Sequence, residues 1–314
     1  MSRIAVLKGG RSLERQVSLA SGGRVEDALE RLGHDVVGID VGHDLVARLT
    51  AEAPDACFVA LHGRDGEDGT VQELLDLLGL PYTGSRPAAC ARCADKVFAK
   101  RELQRAGIPT PDFLSFSQAA FKELGASAAL AHAGRRLGFP LVVKPADQGS
   151  ALGLRIATSA AELPPALVAA FSYSDKVLLE RRIAGRDLAV SVLDGEPLPV
   201  VEAIPEGEDA YQARYEVGGT RFACPAELPA AHTARAQEIA GAVHELLGCS
   251  GASRIDLMLE EATGELFVLE ANAIPGMTQT SLLPQAADAA GIGFEALVER
   301  MLAPALAARA GGRG

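Results

Sequence analysis

Apolar and polar positions change period repeatedly along the first eighty or so residues. Short apolar runs at Ile4 to Leu7, Asp35 to Ile39 and Ala56 to Leu61 read as strands, whereas Glu14 to Leu32 and Thr70 to Leu78 carry helical spacing. Strands alternating with helices predict a small parallel sheet with helices packed on it. Pro81, Gly84 and Pro87 punctuate the end of this stretch and set a first boundary at residue 87. The next stretch holds a helix at Lys96 to Arg105 that stops before Gly107 and Pro109, strands at Leu141 to Lys144 and Leu154 to Ala157, and a helix at Ala160 to Phe171. A third begins with the strand Val177 to Glu180 and continues with hairpins. Asp194-Gly195 turns between Leu188–Leu193 and Pro197–Val201, and Ala262-Thr263-Gly264 turns between Ile255–Leu259 and Leu266–Leu269. Pro205 to Pro225 lacks clear periodicity and reads as a long loop, functional or mobile. The expected class is therefore α/β, passing into α+β in the C-terminal half, with domains at 1–87, 88–176 and 177–314.

Composition narrows the function classes. Of 314 residues 48% are apolar, enough for packed cores, and with only 4% aromatic those cores are built from Ala, Leu and Val. Acidic side chains number 41 against 30 Lys plus Arg, a net charge of -11, with no basic cluster longer than a pair. That balance argues against a nucleic-acid partner, while leaving room for a small anion in a local basic pocket. No apolar run exceeds six residues and the N-terminus has no signal-peptide pattern, so no membrane partner is expected. Five dispersed cysteines read as reduced thiols of a cytoplasmic protein. Cys90 and Cys93 form a C-x-x-C pair without a second pair or a suitably spaced His, so they read as small apolar residues on a helix.

Four segments carry candidate chemistry. Lys8-Gly9-Gly10-Arg11-Ser12 is a strand-to-helix turn whose helix N-terminus offers N–H groups to an anion, with Glu14 beside it able to hold an ammonium. It is equally readable as a plain tight turn. The loop from Leu61 through His62, Gly63 and Glu67 to Gly69 leaves the C-terminal end of a buried strand, where ligands gather in α/β sheets. Its alternative is an acidic surface loop capping the next helix. Val143-Lys144-Pro145 followed by Gly149-Ser150 places a cation and flexible N–H groups where they fit a polyphosphate. Strand alternation puts Arg254 with Asp256, and Glu270 with Asn272, on single faces of a hairpin. Two carboxylates and one amide offer hard oxygen ligands suited to magnesium.

In this order the segments resemble the D-alanine–D-alanine ligases of the ATP-grasp superfamily over essentially the whole chain. The match runs through Gly9 to Glu14 with Val17-Ser18, Leu61 to Gly69, Leu80 to Gly84, Asp95-Lys96, Val143 to Pro145, Gly149-Ser150, Tyr215, Cys224-Pro225, Arg254 to Asp256, and Glu270 to Thr278. The resemblance implies a three-domain ATP-grasp fold that binds ATP between the second and third domains, phosphorylates one D-alanine carboxylate, and lets the amine of a second displace phosphate. It implies Lys96 and Lys144 on the phosphates, with Gly149, Ser150 and Arg214 also at the nucleotide. Glu180, Arg182 and Ile183 would meet the adenine and Asp187 the ribose. Asp256, Glu270 and Asn272 would hold two Mg²⁺, with Mn²⁺ as substitute. Arg254 and the backbone of Gly276 would form the oxyanion site.

By the same resemblance Glu14, Ser18, His62 and Gly63 would take the first D-alanine, and Ser281 with Leu282 the carboxylate of the second. Glu14, Ser150 and Tyr215 would form a hydrogen-bonded triad, and the chain is expected to form a homodimer through its first domain. Asp187 in place of Glu, Arg214 in place of Lys, Ala151 in place of Ser and the pair Ala273-Ile274 depart from the common pattern and bear on ATP affinity more than on reaction type. Ligation of D-alanine to D-lactate or D-serine is the neighbouring alternative. A non-catalytic regulator on the same scaffold is the alternative of another class; it predicts loss of a metal ligand or phosphate lysine, and none is lost.

Overall fold

The computed structural model describes residues 1–125, 128, 130–205 and 220–311. Strands β1 (Arg3–Lys8), β2 (Asp35–Asp40) and β3 (Ala56–Val59) form a parallel sheet in the order β2-β1-β3. All four residues of β3 are buried, as expected for a strand covered on both faces. Phe58 turns to one face with the helix Arg15–Arg31, while Cys57 and Val59 turn to the other with the helices Leu45–Glu52 and Thr70–Leu77. The C-terminal helix Phe294–Gly311 also lies on the first face, where Leu297, Val298, Met301 and Leu302 join Ile4, Val6 and Leu29 in one core. Truncating so enclosed a side chain as Leu29 to Ala costs about 2–5 kcal/mol.

A second, four-stranded sheet has the order β4-β7-β5-β6, with β4 (Phe113–Ser117), β5 (Leu141–Pro145), β6 (Arg155–Ala157) and β7 (Lys176–Arg181). The expected boundary at 176/177 thus falls inside β7, which pairs with β4 and β5 rather than with the strands that follow it. The sequence reading erred because Asp175-Lys176 breaks the apolar pattern at the place where the chain re-enters the sheet. The third sheet holds β8 (Gly185–Leu193), β9 (Glu196–Pro197), β10 (Val201–Pro205), β11 (Thr220–Ala223), β12 (Ala252–Glu260) and β13 (Leu266–Asn272). Its path is β11-β10-β8-β12-β13, antiparallel throughout, with β9 beside β8.

The helix Ala230–Leu247 covers one face of the third sheet, together with Cys90 and Cys93 from Pro87–Ala94 and Leu103 from Lys96–Arg105. Cys90 and Cys93 are buried on the inner side of their helix, and the Cys93 thiol lies 3.5 Å from that of Cys249. No described helix is long and apolar enough to cross a membrane.

Candidate active site

Local chemistry fixes where the first lysine stands. Asp95 ends one helix and caps the next, its carboxylate accepting from the N–H groups of Val97 (2.9 Å) and Phe98 (3.0 Å). This N-cap starts the helix Lys96–Arg105 at Lys96 and turns its side chain toward the third sheet. Lys96 Nζ donates to the carbonyl of Gln148 at 2.8 Å and pairs with Glu270 at 3.2 Å. It is therefore held between the small-residue loop after β5 and the end of β13.

The hairpin β12–β13 brings four polar residues together. Asp256 lies opposite Glu270 and Arg254 opposite Asn272, and a bulge next to Asp256 lets β13 skip one residue. Bulges re-aim side chains, and here the bulge falls beside the two carboxylates. Arg254 grips Asp256 with two bonds of 2.7 Å. Burial alone would raise Glu270, but Lys96, Lys144 and Arg254 outweigh it and pull its carboxyl down to about 2. Asn272 Oδ1 accepts from the Ile274 N–H at 3.1 Å, which fixes the amide at the mouth of the next turn. By donor chemistry the set Asp256, Glu270 and Asn272 fits a hard divalent cation, because all three carry side-chain oxygens near one strand end, two of them carboxylates paired across the ladder.

Two adjoining cavities share Lys96, Gln148 and Glu270. The smaller, about 160 Å³, is lined by Lys144, Ala151, Asp187, Asp256 and Leu282 among others. The larger, about 550 Å³, runs past Gly63, Glu67, Gly149 and Asn272. Arg182, Ile183 and Asp187 border a further recess beside Met258 and Ile204, at the outer end of β8 and β10. Glu180 is not at the surface: it is buried on β7 between Lys100 and Lys144.

On the other side stands a cluster of acids. Glu14, at the start of the first helix, accepts a hydrogen bond from the Ser150 hydroxyl, which joins residues far apart in sequence across the cleft. Gly63 has φ +69°, and a Cβ there would stand 2.5 Å from Glu14 Oε2, so a side chain at this position collides with the carboxylate. Burial first, then the nearby Glu67, raises Glu14 above the ordinary carboxylate range, against the opposing pull of Ser150, His62 and Lys96. His62 is buried, with Nδ1 3.2 Å from Glu67 and Nε2 3.0 Å from the hydroxyl of Ser21.

Ser21 also accepts from the Met277 N–H at 3.1 Å, and Arg24 donates to the carbonyls of Met277 (3.2 Å) and Thr278 (2.9 Å). The turn containing Gly276 is thus clamped from the first helix. Ser281 precedes the helix Leu282–Ala289, and its hydroxyl accepts from the Thr278 N–H at 3.0 Å.

Ser18 departs from the substrate contact expected of it. It is fully buried, accepts from the Gly9 N–H and donates to the Ala60 carbonyl, so its hydroxyl is consumed in tying the first turn to the end of β3. Tyr215 and Arg214 lie outside the described residues. Lys100, Ser21 and Arg24 were not singled out from sequence. Lys100 carried one signal, its placement one turn after Lys96 on the inward face of the same helix.

Comparisons with known proteins agree over nearly the full length. A family model described as "D-ala D-ala ligase C-terminus" matches residues 103–303, and its N-terminal counterpart matches 43–85. The chain is 45% identical to the D-alanine–D-alanine ligase of Syntrophotalea carbinolica, with 96% of each protein covered. It is 44% identical to that of Geobacter sulfurreducens, covering 96% of this chain and 93% of the relative. The structure is similar to that of the Bacillus anthracis D-alanine–D-alanine ligase complexed with ATP, at 34% identity and a TM-score of 0.83, over 99% of this chain and 100% of the other.

Proposed function

We propose a mechanism from a plain premise: this chain belongs to the D-alanine–D-alanine ligase family. It is an ATP-dependent ligase that joins two D-alanines through a peptide bond, releasing ADP and phosphate. The observation that carries the assignment of roles is the pairing of Asp256 with Glu270 beside Lys96, in a cavity that also holds Lys144. A carboxylate pair next to a lysine pair suits triphosphate bound with a divalent cation.

ATP would lie along the smaller cavity, its phosphates against Lys96, Lys144 and the Gly149–Ser150 loop, its adenine toward Glu180, Arg182 and Ile183, and its ribose toward Asp187. Asp256, Glu270 and Asn272 are the residues that would hold magnesium, or manganese in its place. When bound there, the ion would offset phosphate charge and stabilise the charge that shifts during phosphoryl transfer. Glu14, with His62 and Gly63 behind it, receives the ammonium of the first D-alanine and leaves its carboxylate toward the phosphates. A carboxylate oxygen attacks the γ-phosphorus, the bond to the bridging oxygen breaks, and ADP departs.

The amine of the second D-alanine, its own carboxylate held by Ser281 and the N-terminus of the helix at Leu282, then attacks the acyl carbon. Arg254 and the Gly276 N–H stabilise the tetrahedral oxyanion, an interaction that raises the rate because it strengthens as charge develops. The incoming ammonium gives up a proton to the network of Glu14, Ser150 and Tyr215, and phosphate leaves. We further place the enzyme in the cytoplasm, making a peptidoglycan precursor, as a homodimer through its first unit. We divide it into three units, with the second boundary moved to the link Arg182–Ala184 between β7 and β8.

Phosphate release with and without D-alanine, followed by product analysis with D-alanine, D-lactate and D-serine at several pH values, tests the proposal. D-alanine-dependent release and D-alanyl-D-alanine are expected. Exclusive formation of D-alanyl-D-lactate would overturn the acceptor, and ATP binding without D-alanine-dependent release would replace the enzyme with a regulator.

A further inference from the structure

Three charged side chains meet where almost no solvent reaches. Lys100 from the helix Lys96–Arg105 is 1% exposed, Glu180 from β7 is 2% and Lys144 from β5 is 7%. Lys100 Nζ stands 2.7 Å from Glu180 Oε2, and Lys144 Nζ stands 3.3 Å from Oε1. Lys100 also donates to the hydroxyl of Thr110, which in turn donates to the Val268 carbonyl at 2.7 Å. Its ammonium is therefore anchored on two sides.

Lys144 lines the smaller cavity and Lys100 does not. The cluster carries two cations and one anion, hence one net positive charge. Were Lys144 the sole partner of Glu180, the two would form a self-compensated buried pair and present a dipole, not a charge, to the cavity. With Lys100 paired to Glu180, the positive charge that Glu180 does not offset sits on the lysine that faces outward, into the cavity it shares with Glu270. We propose that Lys100 is a positioning residue for nucleotide binding: as the resident counter-ion of Glu180, it leaves the charge of Lys144 available to the ATP phosphates.

The inference rests on the assignment of Lys144 to phosphate made above. Burial pulls the Lys100 ammonium down to about 8, with Glu180 the main restraint, so it remains largely protonated at neutral pH. Burial would raise Glu180, yet Lys100 and then Lys144 outweigh it and hold the carboxyl below its ordinary range. Lys100 is thus the larger of the two influences on Glu180. The two lysines divide the carboxylate between them, Lys144 on Oε1 and Lys100 on Oε2.

Inorganic tripolyphosphate, which has no adenine, isolates the phosphate side of the site. Its dissociation constant, measured by calorimetry on the full chain, is expected to rise about tenfold in Lys100→Met, equivalent to about 1.4 kcal/mol. Lys100→Arg should recover part of the loss. Lys100→Met/Glu180→Gln, which removes the counter-ion and its anion together, should return to the affinity of the unsubstituted protein. A Lys100→Met protein that binds tripolyphosphate normally while Lys144→Met binds it poorly would overturn the proposal and leave Lys100 a scaffold residue. Normal binding by Lys144→Met would instead remove the phosphate assignment of Lys144 on which the proposal rests. Should Lys100→Met not fold, the double variant decides: unchanged affinity supports the proposal, and a tenfold loss overturns it.

Discussion

The two sides of the cleft are charged in opposite senses. Around β5, β7 and β13, the cations Lys96, Lys100 and Lys144 outnumber the carboxylates Glu180 and Glu270 that they touch, and Glu270 is pulled down to about 2. Around the first helix and the loop after β3, Glu14 and Glu67 stand near one another with no lysine or arginine among the described residues bonded to Glu14, and Glu14 is raised by burial and by Glu67. Under the proposed roles, each side carries an excess that its own ligand would cancel: a polyphosphate on one, an ammonium on the other. On that proposal, the contrast separates the phosphate and ammonium ends within one cleft of a protein with net charge -11. The proposed orientation of the first D-alanine follows, its positive end toward one wall and its negative end toward the other.

The contrast breaks most severely at its centre. Glu270→Ala strips Lys96 of its partner and removes a proposed magnesium ligand, and turnover measured by phosphate release is expected to fall by about 10³-fold or more, with unchanged circular dichroism. Near-normal turnover would remove Glu270 from the chemistry. Arg254→Lys keeps the charge but loses the two-pronged hold on Asp256, so kcat should drop by roughly 10²-fold with little change in the KM for ATP. A variant that loses ATP affinity instead would place Arg254 on the nucleotide rather than on the oxyanion.

On the acidic wall, Glu14→Gln should raise the KM for the first D-alanine about tenfold while leaving that for ATP unchanged. It should also stabilise the protein slightly. Because the folded state holds the Glu14 proton more tightly than the unfolded chain does, the stability this carboxyl contributes is full below its ordinary value and declines as pH rises through the raised one. The amide has no such loss, so the Tm of the variant relative to the unsubstituted protein should increase between acidic and neutral pH, by less than about 3 °C. A shrinking difference would contradict the raised value. The smallest effect is expected from Arg24→Ala, which unclamps the turn at Met277 and Thr278: about two- to fivefold in the KM for the second D-alanine, with that for ATP unmoved.

How much of this was readable in advance depended on sequence distance. Period-two alternation places Asp256 with Arg254 and Glu270 with Asn272 on single faces, so those faces were available from some twenty residues of sequence, although the register set by the Ala262–Gly264 turn alone puts Asp256 opposite Leu269. The bulge beside Asp256 was not, since nothing in Leu269 announces that it lies outside the ladder. Partners separated by most of the chain left no trace either. Ser21 and Arg24 meet Met277 and Thr278 only because the first and last thirds of the protein pack together, and Lys100 meets Glu180 only because a helix crosses the middle sheet. A lysine at helical spacing is ordinarily solvated, and its burial becomes visible only when the carboxylate that justifies it is placed.

The last helix, lying against the first sheet, also sets an order in time. Ile4, Val6 and Phe58 are made well before Leu297, Val298 and Leu302, which close over them. At about 5–20 residues per second, the interval between them is roughly 10–50 s, during which the helix Arg15–Arg31 is the only part of this core's cover already made on that face of the nascent sheet. Ribosome-bound chains halted before Phe294 should accordingly yield to protease within their first sixty or so residues, and chains carried past Leu306 should resist. A sheet already resistant in the shorter chains would mean that it matures without its final helix. The unit proposed to receive the first substrate is begun well before it is closed, which makes the ribosome's own pace, and whatever shields a half-covered apolar face meanwhile, part of how this ligase comes to be.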